Sequence, residues 1–301
     1  MLQTHLKRLL TLLLLLACFP ALAMPPLVDA NWLKSNMDKE NLVILDIQET
    51  GFFTRYHIPG AVNLPYSRWR TDGKRGPSGM RPKTAQLEKM IGSAGIGNDS
   101  QVVIVATGQG AGDMAAAARV FWTLLSVGHE TAAILNGGLV AYANSGKVRL
   151  EKGMSNASAK SFKANESTAA ATDADQIKSK LGGETALVDA RSVAEHLGVW
   201  GTGTKNRAGA IPGSTNLPYD WLTINGSGQL HDTSKLELLY KETGVPLEGE
   251  QIHYCASGNR AALTWFVSYA VMGNRQARLY DASMNEWSKR PELPIKTKLK
   301  L

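Results

Sequence analysis

The sequence predicts an α/β protein made of two similar domains, each with a central, mostly parallel sheet flanked by helices. Short, continuously apolar runs alternate with stretches of helical periodicity, which is typical of parallel sheets covered on both faces. The same short motifs also occur twice in the same order, once in each half of the chain. An alternating pattern that is duplicated in this way predicts two copies of one α/β fold.

The first copy contains three predicted strands and two predicted helices. Strands are expected at Leu42–Ile47, Val102–Ala106 and Ala132–Leu135, because these runs are short, apolar and bounded by polar residues or glycine. Helices are expected at Ala85–Ala94 and Met114–Val127, where apolar residues recur with a helical period.

The second copy repeats this alternation. Its predicted strands are Ala186–Asp189, Gln251–Cys255 and Ala277–Tyr280. Its predicted helices are Ser192–Leu197, Lys235–Thr243 and Ala261–Met272.

Three pairs of motifs indicate that the two copies arose by duplication. Asp46, at the end of an apolar run, is matched by Asp189, which lies 143 positions later. An Ile-Pro-Gly motif recurs after 153 positions, and the run that ends at Asn136 recurs after 145 positions in the run that ends at Asp281. Matches in one order at nearly one offset predict a duplicated domain.

The chain divides into a leader, two domains and a linker. Residues 1–23 form a predicted signal peptide, residues 24–150 the first domain and residues 174–301 the second. Residues 151–173 are polar and show no apolar period, so they are predicted to link the two domains.

The leader predicts export to the periplasm or the cell exterior. Lys7 and Arg8 precede the apolar run Leu9–Ala17, and the Ala21–Ala23 segment has the small-residue pattern of a cleavage site. Cys18 leaves a lipidated amino terminus as the alternative. No later stretch approaches the roughly 18 apolar residues of a membrane span, so no transmembrane span is expected.

The composition favours an ordinary globular protein with small anionic substrates. The formal net charge is +7, and 20% of the residues are charged. The basic residues near the carboxyl terminus are not interleaved with aromatic residues, so a nucleic-acid partner is not expected. The general positive charge favours anionic substrates by electrostatic steering.

Cys255 is the predicted nucleophile. It is the only cysteine outside the leader, and it lies between a buried-strand pattern and an apolar helix. Inward-pointing N–H groups of the tight loop and the positive end of the helix favour the thiolate, which is the reactive form of the side chain. The alternative is an inert, buried cysteine.

Together these motifs resemble the rhodanese family. The second copy carries Asp189 and Arg191 in an Asp-x-Arg strand end, the motif at 211–214, the loop from Cys255 to Arg260 and the segment 280–287. In the first copy the corresponding motifs lie at 57–61, 119–122, 128–129 and 136–138. The tandem arrangement is similar to that of thiosulfate and mercaptopyruvate sulfurtransferases.

The resemblance implies a chemistry that needs no cofactor and no metal. Cys255 would take sulfane sulfur from an anionic donor such as thiosulfate, form a persulfide, and pass the sulfur to cyanide, a thiol or a protein acceptor. Asp189, Arg191 and Glu195 would support the site. The predicted substrate-binding loop consists of Ala256, Ser257, Gly258, Asn259 and Arg260.

The resemblance also implies an inactive first copy, whose equivalent loop at 105–114 has no thiol. That loop is rich in glycine, but it lacks the Gly-Lys-Ser/Thr of a phosphate-binding loop, and we interpret it as a relic.

The donor remains open because the loop departs from both sulfurtransferase types. Glu195 stands where an arginine often contacts the donor, and the loop itself carries one cation, Arg260. Lys205 or Arg207 could supply further positive charge. Two other functions are alternatives. One is a cysteine-arginine phosphatase, whose loop would need five residues between the cysteine and the arginine, whereas this loop has four. The other is a non-catalytic protein that docks to a protein partner, either a persulfide or chalcogen carrier or a thiol sensor.

Overall fold

The computed structural model describes residues 24–71, 77–201 and 207–299. The predicted signal peptide, with Cys18, and Lys205 lie outside the described residues. Each half of the chain forms a five-stranded sheet in which every pair of neighbouring strands is parallel. The predicted fold class, two α/β domains with central parallel sheets, is confirmed.

The first sheet has the strand order β1-β5-β4-β2-β3. Its strands are β1 (Leu27–Val28), β2 (Leu42–Asp46), β3 (Val62–Asn63), β4 (Gln101–Val105) and β5 (Ala132–Leu135). The helices of this half are α1 (Ala30–Asn36), α2 (Thr50–Phe53), α3 (Thr84–Ser93), α4 (Ala111–Ser126) and α5 (Gly138–Ala143). A 3₁₀ turn at Tyr66–Trp69 follows β3.

The second sheet repeats this order as β6-β10-β9-β7-β8. Its strands are β6 (Ala171–Thr172), β7 (Ala186–Asp189), β8 (Thr215–Asn216), β9 (Gln251–Tyr254) and β10 (Ala277–Tyr280). The helices of this half are α6 (Ala174–Lys180), α7 (Val193–Leu197), α8 (Thr233–Thr243), α9 (Asn259–Phe266) and α10 (Ser283–Trp287). Short 3₁₀ turns lie at Tyr219–Leu222 and Ile224–Gly226. Within the described residues, no helix is long and apolar enough to cross a membrane.

Four strands were not expected from the sequence, namely β1, β3, β6 and β8. Each has only two residues, which is too short for a periodic pattern to show. Strand β6 (Ala171–Thr172) lies at the end of the segment 151–173 and pairs with β10 of the second sheet. The expected helix Ala261–Met272 begins two residues earlier, at Asn259, and changes to π-helical geometry at Val267–Val271.

The two domains pack through α4 of the first and α9 of the second. The Phe121 ring on α4 meets the Phe266 ring edge-on, with ring centroids 5.0 Å apart, and lies 6.2 Å from the Trp265 ring. All three side chains are buried. Because α9 begins at the Cys255 loop, this contact sets the first domain directly against that loop.

Candidate active site

Cys255 lies at the carboxyl end of the second sheet, between β9 and α9. Only 1% of its surface is exposed, and it is a free thiol. The carboxyl edge of a parallel sheet is where loops of this fold class bind ligands. The strand immediately before it is fully buried, so the position of Cys255 is set by the sheet rather than by a mobile loop.

The loop that follows Cys255 is held by the start of α10. The Ser283 hydroxyl oxygen accepts the N–H groups of Cys255 at 3.0 Å and of Gly258 at 3.2 Å, while its proton goes to the Tyr280 carbonyl at 2.7 Å. Ser283 adopts a φ of 51°, in the left-handed region that non-glycine residues rarely occupy. This backbone conformation places the hydroxyl beneath the loop. The carbonyl of Cys255 also accepts the Met284 N–H at 3.1 Å.

Gly258 is the one position in the loop where a side chain would not fit. Its φ is 75°, and a Cβ there would lie 2.3 Å from the Arg119 Nη1 and 2.5 Å from the Asp281 carbonyl oxygen. Glycine therefore permits both the turn before α9 and the close approach of Arg119 from the first domain.

Four amides of the loop remain available to bind an anion. The N–H groups of Ala256, Ser257, Asn259 and Arg260 have no acceptor in the part of the chain that the structure describes. The sequence-based expectation included Gly258 among these donors, but its N–H is bound to Ser283. Amide donors at the amino end of a helix favour a negative charge held in front of them.

Arg260 forms a bidentate ion pair with Glu195. Its Nη1 and Nη2 atoms donate to the two carboxylate oxygens at 2.7 and 2.9 Å. The Arg260 side chain is 24% exposed and that of Glu195 is 10% exposed. Burial raises the pKa of Glu195, but the bonds and charge of Arg260 outweigh it and hold that pKa below its usual range. Arg260, which was expected to supply positive charge to the loop, is thus paired with a carboxylate in this structure.

Glu195 is fixed in turn by the first turn of α7. Its carboxylate accepts the Ser192 N–H at 3.2 Å and the Ser192 hydroxyl at 3.0 Å, while the Ser192 hydroxyl accepts the Glu195 N–H. This reciprocal capping box holds the carboxylate against Arg260.

Asp189 and Arg191 form a buried support beneath the strand ends. Arg191 binds the Asp189 carboxylate through Nε at 2.9 Å and Nη2 at 2.7 Å, and His196 lies 3.0 Å from the same carboxylate. Burial raises the pKa of Asp189, but hydrogen bonds from His196 and Arg191 outweigh it and lower that pKa. Arg191 also faces the ring of Tyr254, the residue before Cys255. The pair therefore supports the strand that carries the nucleophile.

Arg207, another predicted source of positive charge, binds the carboxyl-terminal segment instead. Its guanidinium donates to the carbonyl groups of Trp287, Ser288, Arg290 and Leu293 at 2.7 to 3.3 Å. Four carbonyl contacts hold its charge away from the Cys255 loop.

The first domain contributes side chains that sequence reasoning missed. The Arg70 Nη2 donates to the Ser257 hydroxyl at 3.0 Å and to its carbonyl at 3.3 Å. The Tyr66 hydroxyl donates to the Asn259 side chain, and Arg119 forms an ion pair with Asp281. The available signal was the repeated Leu-Pro-Tyr motif, which makes Tyr66 the counterpart of Tyr219.

The pKa of Tyr66 is affected by the charged groups around Cys255. Burial raises its pKa, the guanidinium groups of Arg119 and Arg70 lower it, and the charges of Cys255 and Asp281 raise it further. Groups from both domains therefore share one electrostatic environment at the Cys255 loop.

His253 plays no part in this environment. Its ring is fully buried between Thr264 and Gln251, each at 3.0 Å, and burial lowers its pKa to about 3. The imidazole is therefore neutral and structural.

The corresponding site of the first domain has different chemistry. A cavity of about 280 Å³ lies at the ends of its strands, with the carboxylates of Glu49 and Asp113 in its wall. Gln48 replaces the arginine at the position of Arg191, so the buried Asp46 has only amide partners. Burial consequently raises the pKa of Asp46 to about 6.

Fold and site together define a duplicated α/β protein with one buried thiol on an amide-rich loop at the domain boundary. The chain belongs to the rhodanese-like domain family, whose model matches residues 29–145 and 173–290. The predicted resemblance to two rhodanese domains in tandem is confirmed.

Relatives resemble the chain over most of its length. A protein of Saccharopolyspora erythraea with the provisional name thiosulfate sulfurtransferase is 29% identical over 277 residues, covering 89% of this chain and 95% of its own. A similarly named protein of Mycobacterium bovis is 27% identical over 276 residues, covering 89% of this chain and 96% of its own.

Solved structures share the fold. The 3-mercaptopyruvate sulfotransferase SseA from Escherichia coli superimposes with a TM-score of 0.74 at 23% identity, covering 86% of this chain and 98% of its own. The anaerobic ergothioneine biosynthesis enzyme from Chlorobium limicola gives a TM-score of 0.78 at 20% identity, covering 91% and 71% of the two chains.

Proposed function

We propose that this protein is a sulfurtransferase of the rhodanese type that moves sulfane sulfur from a small anionic donor to a thiophilic acceptor. The observation that carries the proposal is the buried thiol of Cys255 in front of four amides without acceptors. The names of the relatives from Saccharopolyspora erythraea and Mycobacterium bovis support thiosulfate as the donor.

In the first half-reaction the Cys255 thiolate attacks the outer sulfur of thiosulfate. A new sulfur–sulfur bond forms at Cys255, the sulfur–sulfur bond of the donor breaks, and sulfite leaves with the bonding electrons. The negative charge that develops during this transfer lies in front of the fixed N–H groups of the loop, which stabilise it without having to reorganise. No general base is required once the thiol is ionised.

In the second half-reaction the acceptor attacks the outer sulfur of the Cys255 persulfide. With cyanide, the carbon–sulfur bond of thiocyanate forms, the persulfide bond breaks, and its electrons return to Cys255 as the thiolate. The side chain of Cys255 is almost fully buried, which favours small donors and acceptors over bulky ones.

Mass spectrometry and turnover measurements test the proposal together. Protein incubated with thiosulfate should gain one sulfur on Cys255 and lose it on addition of cyanide, with thiocyanate as the product. The Cys255→Ser variant should retain its fold and lose both the added sulfur and turnover, because a hydroxyl is a far weaker nucleophile. Turnover retained by Cys255→Ser would refute the proposal, and a persulfide without turnover would favour the carrier function.

We further propose that the protein is exported, by way of the leader 1–23. Amino-terminal sequencing of the protein recovered from a cell envelope fraction tests this: a mature chain starting at Met24 supports it, whereas an intact leader in the cytoplasm contradicts it.

A further inference from the structure

In the described part of the second domain, the two arginines predicted to supply positive charge to the Cys255 loop, Arg260 and Arg207, are both engaged by other groups. Glu195 neutralises Arg260, and Arg207 is bound to four carbonyl groups outside the loop. An anionic donor gains much of its binding energy from charge-assisted hydrogen bonds, so a cation is expected near the loop. The structure supplies one from the first domain.

Arg70 is that cation. Its guanidinium contacts Ser257, two residues after the nucleophile, through both the hydroxyl and the carbonyl oxygen. Within the described residues, no carboxylate forms an ion pair with it. Arg70 also lines a cavity of about 430 Å³, together with the hydroxyl-bearing residues Tyr66, Ser67, Thr71 and Ser78.

We propose that Arg70 of the first domain binds the anionic head group of the sulfur donor and determines the preference for doubly charged donors. The inference rests on the proposed function. It assigns the cysteine-less domain a direct contact with substrate, in addition to packing against the catalytic domain.

The present partners of Arg70 are ones that an anion can replace. Both contacts at Ser257 are to neutral oxygens, at 3.0 and 3.3 Å, and the Gly79 carbonyl accepts its Nε at 3.3 Å. A guanidinium binds an anionic oxygen more strongly than a neutral one, because opposite charges attract and the two groups can form a paired, bidentate contact. An anionic oxygen that reaches Nη2 therefore competes favourably with Ser257, and its approach to Ser257 brings it to the loop of Cys255.

Glu49 opposes this binding from the same cavity. Its carboxylate accepts the Ser67 hydroxyl at 3.2 Å and the Ser67 N–H at 3.4 Å, which holds a negative charge in the wall. Among its described lining residues the cavity presents one cation and one anion, so removal of Arg70 leaves the repulsive charge of Glu49 in its wall.

The test compares Arg70→Gln and Arg70→Lys with a matched control, Arg68→Gln. Arg68 lies two residues earlier and lines a different cavity, with Asn63 and Gln86, so it controls for loss of one positive charge. Steady-state kinetics are measured with two donors, thiosulfate as a dianion and an aryl thiosulfonate as a monoanion, at constant ionic strength and saturating cyanide.

Arg70→Gln should raise the KM for thiosulfate by about 10- to 100-fold, the loss expected for a hydrogen bond to a charged group. The KM for the thiosulfonate should rise less, and Arg70→Lys should restore part of the difference. The KM for cyanide, measured in a separate series at saturating thiosulfate, should not change. Thermal unfolding of each variant establishes that it is folded.

Two results overturn the inference. If the wild type turns over and both Arg70 variants keep the thiosulfate KM of Arg68→Gln, Arg70 does not bind the donor, although the proposed function stands. If the wild type neither transfers sulfur nor accumulates sulfur on Cys255, the proposed function fails and the inference fails with it.

Discussion

Replacing Glu195 by glutamine should improve the use of an anionic donor, because it releases the positive charge of Arg260. In the wild type, two short hydrogen bonds tie this guanidinium to the Glu195 carboxylate. Glutamine preserves the shape, one acceptor oxygen and the reciprocal cap with Ser192, since the capping box accepts glutamate or glutamine. The variant therefore changes charge with little change in packing.

The expected size of the effect follows from the partly buried geometry. Two unit charges about 4 Å apart interact by about 4 kcal/mol at an effective dielectric constant of about 20, and solvent access reduces this. We expect about 1 to 2 kcal/mol of additional binding for a dianion, which lowers the KM for thiosulfate about 5- to 30-fold. Loss of the charge-assisted bonds should lower the free energy of unfolding by about 1.5 to 3 kcal/mol.

The assay is a KM series for thiosulfate at constant ionic strength, since screening alone can imitate the trend. Glu250→Gln is the matched control: Glu250 is also paired with a cation, Lys180, but precedes β9 at the opposite end of the strand from Cys255. An unchanged or higher KM in Glu195→Gln would show that Arg260 does not face the donor, and would refute the reasoning.

Three further predictions concern the support of the Cys255 loop and the corresponding position of the first domain. Ser283→Ala removes the acceptor for the amides of Cys255 and Gly258 and should cost about 1 to 3 kcal/mol of stability and at least tenfold in kcat, measured by urea unfolding and turnover. Ser283→Gly, which also relieves the positive φ, should recover stability but not kcat. Arg119→Met leaves Asp281 without its guanidinium partner and should destabilise the protein by about 3 to 5 kcal/mol, and Asp281→Asn added to it should restore part of that loss. Because burial raises the pKa of Asp46 from 3.8 to about 6, the folded state binds more protons than the unfolded state between these values, and stability falls as pH rises through that window. Asp46→Asn should therefore be more stable than wild type above pH 6, by up to about 3 kcal/mol, and show no gain at pH 3; an equal gain at both pH values would contradict this.

The long, buried strands of the fold could be predicted from the sequence, and the short ones could not. Runs such as Val102–Val105 are apolar throughout, because both faces of the parallel sheet are covered. The edge strands Val62–Asn63 and Thr215–Asn216 have two residues each, and only pairing with a neighbouring strand defines them. The change to π-helical geometry after Phe266 likewise has no local sequence signal.

At the site, the loop after Cys255 and the supporting residues Asp189, Arg191 and Glu195 were identified from the sequence, while the side chains contributed by the first domain were not. A thiol between a strand and a helix, followed by Gly258 and Arg260, predicts a nucleophile loop. Ser283 lies in the motif at 280–287, but its support of the loop depends on a positive φ that the sequence does not reveal. Glu195 was interpreted as a missing cation, and the structure shows it as the partner of Arg260.

The sequence by itself determined the duplicated α/β architecture, the position of the free thiol and the absence of a thiol in the first copy's loop. These properties follow from local patterns, because hydrophobic period and loop composition act over a few residues. Only the tertiary structure decided which charges surround Cys255. Arg70 is 187 positions from Ser257, and Glu195 is 65 positions from Arg260. Electrostatic interactions depend on distance in space and on burial, so these partners are set by the packing of the first domain against the second and by the fold of the second domain itself, which no local pattern encodes.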